Sequence, residues 1–233
     1  MKKILFVLTS HDRKGNTGQP TGFYLPEAAH PWAVLQEHGF EIDFSSPMGG
    51  RPPMDGADEP DAVSRRFLDT REVMQKLANT LTPAQLSTTE YAAILFVGGH
   101  GTMWDFPNDQ NLARAATSIY EAGGVVGAVC HGPAALVNLK LSNGQYLVHG
   151  KRVAAFTDDE ERAVNLHEVV PFLLATTLQQ RGAMHVAAPN WQANVVTDER
   201  LVTGQNPASA EGVGREMARL LKDATLAGCA ENP

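Results

Sequence analysis

Cysteine is scarce in this chain, with two residues, Cys130 and Cys229, among 233. That is too few for a disulfide scaffold. Cys229 lies in a closing stretch, ATLAGCAENP, with little to pack, so a reducing, cytoplasmic setting is expected. Long apolar runs are also missing: none reaches the ~18 residues that a membrane-crossing helix requires. The opening MKKILFVLTSHDRKG has too short an apolar part, and no small-residue cleavage site, to read as a secretion signal. Basic clusters are absent too. The formal charge of -7 is spread along the sequence, leaving no positive patch to neutralise phosphates, which argues against a nucleic-acid partner. Neither repeats nor low-complexity linkers occur.

What is present suits one α/β domain, with 43% hydrophobic and 19% charged residues. Apolar, β-rich runs recur at Ile4 to Leu8, Phe40 to Phe44, Ala92 to Val97 and Val125 to Val129. They are continuous, not alternating, as in strands buried on both faces of a mostly parallel sheet. Helical spacing fills Pro26 to His38 with a possible kink at Pro31, then a region around Asp61 to Ala78, Asp109 to Ala122 and Pro133 to Leu139. It returns over Glu161 to Arg181, interrupted near Pro171, and near Ala208 to Lys222. Shorter runs at Arg152 to Phe156, Met184 to Ala187, Asn194 to Val196 and Leu201 to Val202 read as later strands, some antiparallel at the sheet edge. The Gly/Pro-rich stretch Ser46 to Glu59 reads as a surface loop beside the active edge of the sheet. The domain is expected to span residues 1–222, with 223–233 as a flexible tail.

The segment GGVVGAVCHGPAAL, beginning at Gly123, reads as strand, sharp turn and helix, with Cys130 at the turn. Ala128 and Gly132 flank it where a tight elbow has no room for larger side chains. Pro133 suits a first helical turn. A thiol at a helix N-terminus has its pKa lowered toward thiolate, which would make Cys130 a nucleophile. The competing reading is a buried small hydrophobe, and the A-x-C-H-G-P context favours the nucleophile.

A second turn, FVGGHGT, follows the strand that ends near Val97, and in a parallel sheet it shares an edge with the elbow. Gly98 and Gly99 let main-chain amides face a pocket, so Gly99 and His131 N–H could form an oxyanion hole. A phosphate loop is disfavoured because G-K-[ST] is missing. His100 either lines the pocket or caps a turn. Glu27, in TGFYLPEAAHPW, enters a helix at the same edge, where it points into the pocket or sits solvated at the helix end. His131 needs an orienting partner to act as a base, and TDDEE after Phe156 could supply one or could simply start a helix. His38, His149, His167 and His185 show no metal-ligand spacing.

Together, A-V-C-H-G-P, G-G-H-G, the Glu27 segment and LVTGQNPAS from Leu201 resemble the ThiJ/PfpI superfamily, related to class I glutamine amidotransferases. With T-G-x-x-x-x-E-x-x-H-P, G-H-G-T and F-T-D followed by Glu, the chain looks like the branch of heat-shock chaperones and glutathione-independent glyoxalases. The resemblance runs from about Lys2 to Leu221. It implies a flavodoxin-like sandwich, usually a homodimer, with Cys130 as nucleophile, His131 beside it, Glu27 as proton acceptor and Glu161 orienting His131. Because this chain reads F-T-D-D-E-E, Glu160 competes with Glu161. The implied activity is of the glyoxalase III type: a 2-oxoaldehyde such as methylglyoxal becomes a 2-hydroxy acid without metal, glutathione or other cofactor. Protein deglycase or stress-chaperone activity could accompany it; a holding chaperone without essential catalysis and a cysteine peptidase or amidase on the same elbow are the other readings.

Overall fold

The computed structural model describes residues 3–230, with side chains described through 224. The chain runs β1 (Lys3–Val7), β2 (Phe23–Tyr24), α1 (Leu25–Glu37), β3 (Ile42–Ser45), β4 (Met54–Asp55), α2 (Ala62–Asp69) and α3 (Arg71–Ala78). It continues through β5 (Tyr91–Phe96), α4 (Thr102–Asp105), α5 (Gln110–Glu121), β6 (Val125–Val129), β7 (Arg152–Val153), α6 (Asp158–Ala163) and α7 (Leu174–Gln180). It closes with β8 (Met184–His185), β9 (Val195–Asp198), β10 (Leu201–Gly204) and α8 (Ala210–Ala230).

Six strands form the central sheet in the order β3-β1-β5-β6-β10-β9, parallel except for the antiparallel edge strand β9. The continuous apolar runs explain this. Ile4 to Val7, Ala93 to Phe96 and Val125 to Val129 are buried on both faces, as only a sheet covered on both sides allows. Alternate residues feed two cores. Ile4, Phe6, Ala93 and Leu95 pack with α1, α2 and α8, whereas Leu5, Val7, Ile94 and Phe96 pack with α5 and the segments after β6. Edge-to-face contacts of Phe44 and Trp32 with Phe67, at 6.0 and 5.3 Å, fasten α1 and α2 to the first of these cores.

Several expected elements are altered. Pro31 lies inside α1 without ending it. The helix expected over Asp61 to Ala78 divides at Thr70, whose extended backbone serves both as C-cap of α2 and N-cap of α3. The helix expected over Pro133 to Leu139 is a 3-10 segment, Gly132–Leu136. Glu161 to Arg181 resolves into α6 and α7, and only Arg152–Val153 and Met184–His185 of two expected strands pair, with each other and outside the main sheet. Within the loop at Ser46 to Glu59, β4 pairs with β2. Backbone expected as tail from 223 onward is helical to Ala230; the rest of that expectation, and the Cys229 side chain, lie outside what is described.

The chain passes from β1 to β3 on one side and later to β5 on the other, so the strand order reverses beside β1. A crevice forms at the carboxyl ends of strands at such a switch point. β5 and β6 deliver Gly98 and Cys130 there, and α1 delivers Glu27.

Candidate active site

Cys130 leaves β6 with φ 60, a left-handed conformation rare for a residue with a Cβ. Its main chain is pinned on both sides. The amide donates to Gly204 O at 2.9 Å, and the carbonyl accepts from Phe156 N at 2.9 Å. Strain of this kind persists only where the surroundings over-determine it, and it turns the sulfur out of the sheet toward the crevice. Thr102 Oγ1 lies 2.9 Å from Gly99 O and 3.0 Å from His131 O, so one hydroxyl ties the two glycine-rich turns together.

His131 Nδ1 is 3.3 Å from Cys130 Sγ, and its Nε2 is 2.7 Å from Glu161 Oε2. Glu161 Oε1 is 2.8 Å from His100 Nε2. Burial alone would raise the Glu161 pKa, but the bonds from His100 and His131 bring it down to about 2. A carboxylate only accepts, so the protons sit on the two Nε2 atoms and Nδ1 of His131 is free to accept from the thiol. Burial, reinforced by His100, holds His131 down at about 4, so the ring is neutral at pH 7. The sequence left two acids competing for this place, and Glu161 occupies it.

Glu160 is turned the other way and is fully buried. Its Oε2 accepts from Thr157 N at 3.0 Å in a capping box. Its Oε1 accepts from Trp191 N, Asn206 Nδ2 and Gln205 Nε2 at 2.9, 2.9 and 3.2 Å. The Gln205-Asn206 pair of the LVTGQNPAS motif therefore serves this buried carboxylate. Glu160→Gln would place an NH2 group among these donors. It is expected to cost about 2–4 kcal/mol, the scale of disrupting a buried charged hydrogen-bond network. Urea unfolding measures this, and a variant as stable as the parent would refute the arrangement.

Glu27, in the first turn of α1, is fully buried, and neither carboxyl oxygen meets hydrogen-bond geometry with any described group. It lies against Cys130 and Gly98. A Cβ placed on Gly98 would come within 2.1 Å of Glu27 Oε2 and 3.0 Å of Cys130 Cβ, so glycine is required for this approach. Gly99, at φ 111, is equally constrained, because a Cβ there would lie 2.2 Å from Gly22 O. Burial raises the Glu27 pKa to about 8, with the nearby sulfur and the Gly98 amide only partly opposing it.

These charges correct one expectation, that the cysteine rests as a thiolate at a helix N-terminus. Instead, burial and the facing Glu27 carboxyl push the thiol up, with only the His131 amide acting the other way. A five-residue 3-10 segment carries little dipole against desolvation. Both shifts favour the protonated forms, and Glu27 and Cys130 titrate as a pair.

Cys130, Glu27, Gly99, His100 and His131 line one cavity of about 230 Å³. The Gly99 and His131 amides donate to no carbonyl among the described residues, as an oxyanion hole requires. The cavity is completed by Lys14, Tyr24, Asp55, Phe156, Val164, Trp191 and Pro207, none of which was singled out from sequence. Tyr24, Phe156 and Pro207 stand inside motifs whose other letters drew attention, whereas Trp191 lies in a stretch that no motif or periodicity marked. Among the described residues one group of donors could take a metal: His100, His131 and Glu161 present atoms within 4.8 Å of one another. Both imidazole N–H groups here donate to the carboxylate instead.

Comparison with known proteins shows the family of the chain. The sequence profile of the DJ-1/PfpI family matches residues 20–220. The glutathione-independent glyoxalase HSP31 of Saccharomyces cerevisiae is 33% identical over 95% of the chain and 99% of its own length. Among solved structures, the rapid encystment protein of 24 kDa from Francisella tularensis superposes with a TM-score of 0.91 at 40% identity, covering 95% of this chain and 99% of its own. Glyoxalase III from Candida albicans superposes at 0.87 with 31% identity, covering 94% and 97%.

Proposed function

The chain belongs to the DJ-1/PfpI family, and from that premise we propose that it is a glutathione-independent glyoxalase converting methylglyoxal and similar 2-oxoaldehydes to 2-hydroxy acids. The observation that carries the reading is the second buried acid. A cysteine amidase needs only Cys130, His131 and Glu161, whereas Glu27 is a further, fully buried acid set against the sulfur, its pKa raised by burial to about 8. A proton carried between adjacent carbons requires such a group.

In the proposed reaction His131 Nδ1 takes the thiol proton as Sγ bonds to the aldehyde carbon. The carbonyl oxygen, held by the Gly99 and His131 amides, receives the Glu27 proton, giving a hemithioacetal. Glu27, now a carboxylate, removes the hydrogen from that carbon while the His131 imidazolium protonates the ketone oxygen, giving an enediol and a neutral His131. Glu27 then delivers its proton to the neighbouring carbon and takes back the hydroxyl proton of the first carbon as the thioester carbonyl forms. The product thioester is hydrolysed by water, which releases the 2-hydroxy acid and restores the thiol. Overall, one 2-oxoaldehyde and one water become one 2-hydroxy acid. The scheme needs neither metal nor glutathione, since Cys130 provides the thiol. A homodimer in the cytoplasm completes the reading, on the family resemblance and the scarcity of cysteine.

The direct test is lactate formation from methylglyoxal with no added thiol. Hydrolysis of amide substrates without lactate would favour the amidase. The pH profile of kcat/KM is a sharper check. Addition needs His131 neutral and Glu27 protonated, so the rate is expected to rise as pH passes about 4 and to fall as it passes about 8. A rate still climbing above pH 9 would contradict the acid role of Glu27.

A further inference from the structure

The catalytic groups occupy only the inner part of the cavity. At about 230 Å³ it exceeds what the five heavy atoms of methylglyoxal fill, taking a water's share of ~30 Å³ for each. Its outer part is aromatic. Ring contacts continue from His131 to Phe156 at 4.3 Å and from Phe156 to Trp191 at 5.8 Å, leading from the triad to the rim.

Trp191 is unusual within this row. It is 49% exposed, its indole N–H meets no hydrogen-bond acceptor among the described residues, and its backbone has φ 67, a genuine outlier for a bulky side chain. The loop that carries it is nonetheless fastened firmly. Trp191 N donates to Glu160, Asn206 Nδ2 donates to Gln192 O at 2.8 Å, and Ala188 N donates to Gln205 Oε1 at 2.8 Å. The buried Glu160 network thus holds strained backbone in place while leaving half of the largest side chain uncovered. Packing gives no reason for this, because an indole that only filled space would be buried. Held strain with an open aromatic face is how ligand clamps are built.

We propose that Trp191, positioned by Glu160, is the specificity-determining residue of the outer pocket, and that it selects 2-oxoaldehydes bearing a flat apolar substituent. The aldehyde reacts at Cys130 while the substituent lies against the Trp191 and Phe156 rings. Glu160 acts through the loop and touches no substrate.

This inference rests on the glyoxalase reading for its substrates, so the experiment separates the two. Mandelate formation from phenylglyoxal and lactate formation from methylglyoxal are measured for the parent, Trp191→Ala and Trp191→Phe. The ratio of kcat/KM, phenylglyoxal over methylglyoxal, is expected to fall about tenfold in Trp191→Ala, chiefly through KM, and to recover in Trp191→Phe. Loop damage would lower both substrates together, so a ratio within about twofold of the parent's overturns the proposal. In parallel, mandelate and lactate binding is titrated calorimetrically. Both carry the same 2-hydroxycarboxylate head, so their affinity ratio isolates the ring. If the parent forms neither acid, the glyoxalase reading falls and the titration decides alone. A preference for mandelate lost in Trp191→Ala supports the clamp, and equal affinities or an unchanged preference refute it.

Discussion

Cys130→Ala is expected to lower lactate formation by about 10⁴-fold or more, because the thiol forms the covalent bond on which every later step depends. The fold should persist. Alanine keeps the Cβ and meets the same backbone demand at φ 60, so the strain is unchanged, and only the sulfur, which lines the cavity as well as the core, is removed. Losing one buried atom is worth about 1 kcal/mol, or roughly 2–4 °C in Tm for a chain of this size. Steady-state rates and a thermal melt suffice. Turnover within tenfold of the parent would remove Cys130 from the mechanism, whereas collapse of the fold would return it to the role of a buried hydrophobe.

Glu27→Gln should separate function from stability in opposite directions. The amide keeps the shape of the acid and can still donate to a carbonyl oxygen, so addition to Cys130 survives, but it cannot carry a proton between carbons. Turnover is expected to fall by about 10²–10⁴-fold, the usual worth of a general acid or base. The intact protein should gain the mass of one methylglyoxal. Stability should improve with rising pH relative to the parent. The folded pKa of Glu27 lies at about 8, above the ordinary glutamate value of 4.5, so the folded state binds the proton more tightly. Its contribution is therefore fully present below about pH 4.5 and is lost as pH rises through about 8, amounting to roughly 3–5 kcal/mol. The glutamine variant has no such loss, so the Tm difference should widen in its favour between pH 5 and 9. Parallel curves for the two proteins would mean that Glu27 is ionised in the resting site.

Much of the molecule was legible in one dimension. Continuous apolar runs mark strands covered on both faces, because no other environment satisfies them. Cys130 and the glycines at 98 and 99 were legible because a turn that tight tolerates few side chains; for Glu27 the sequence indicated the sheet edge and left its direction open, with a role implied only by the family resemblance. The later, shorter elements were not. Arg152 to Phe156 has the composition of a strand, but most of it is committed elsewhere: Phe156 N holds Cys130 O, and Ala154 N donates to Thr203 Oγ1.

The acids show most clearly what sequence alone could not decide. Glu160 and Glu161 are adjacent and identical in kind, and rotation along one helical turn sends one into a cap with Asn206 and Gln205 and the other to two histidines. The resting charge of Cys130 likewise depended on what surrounds it. A helix dipole can be inferred from sequence order, but desolvation and an apposed carboxyl arise only when distant segments close over the sulfur. By itself, then, the sequence determined the sheet, the elbow and the kinds of reactive groups, since these follow from local sterics and hydrophobic pattern. Tertiary structure alone decided which acid meets which base, where each proton rests and that Trp191 stands over the pocket, because those depend on burial and on contacts between residues far apart in the chain.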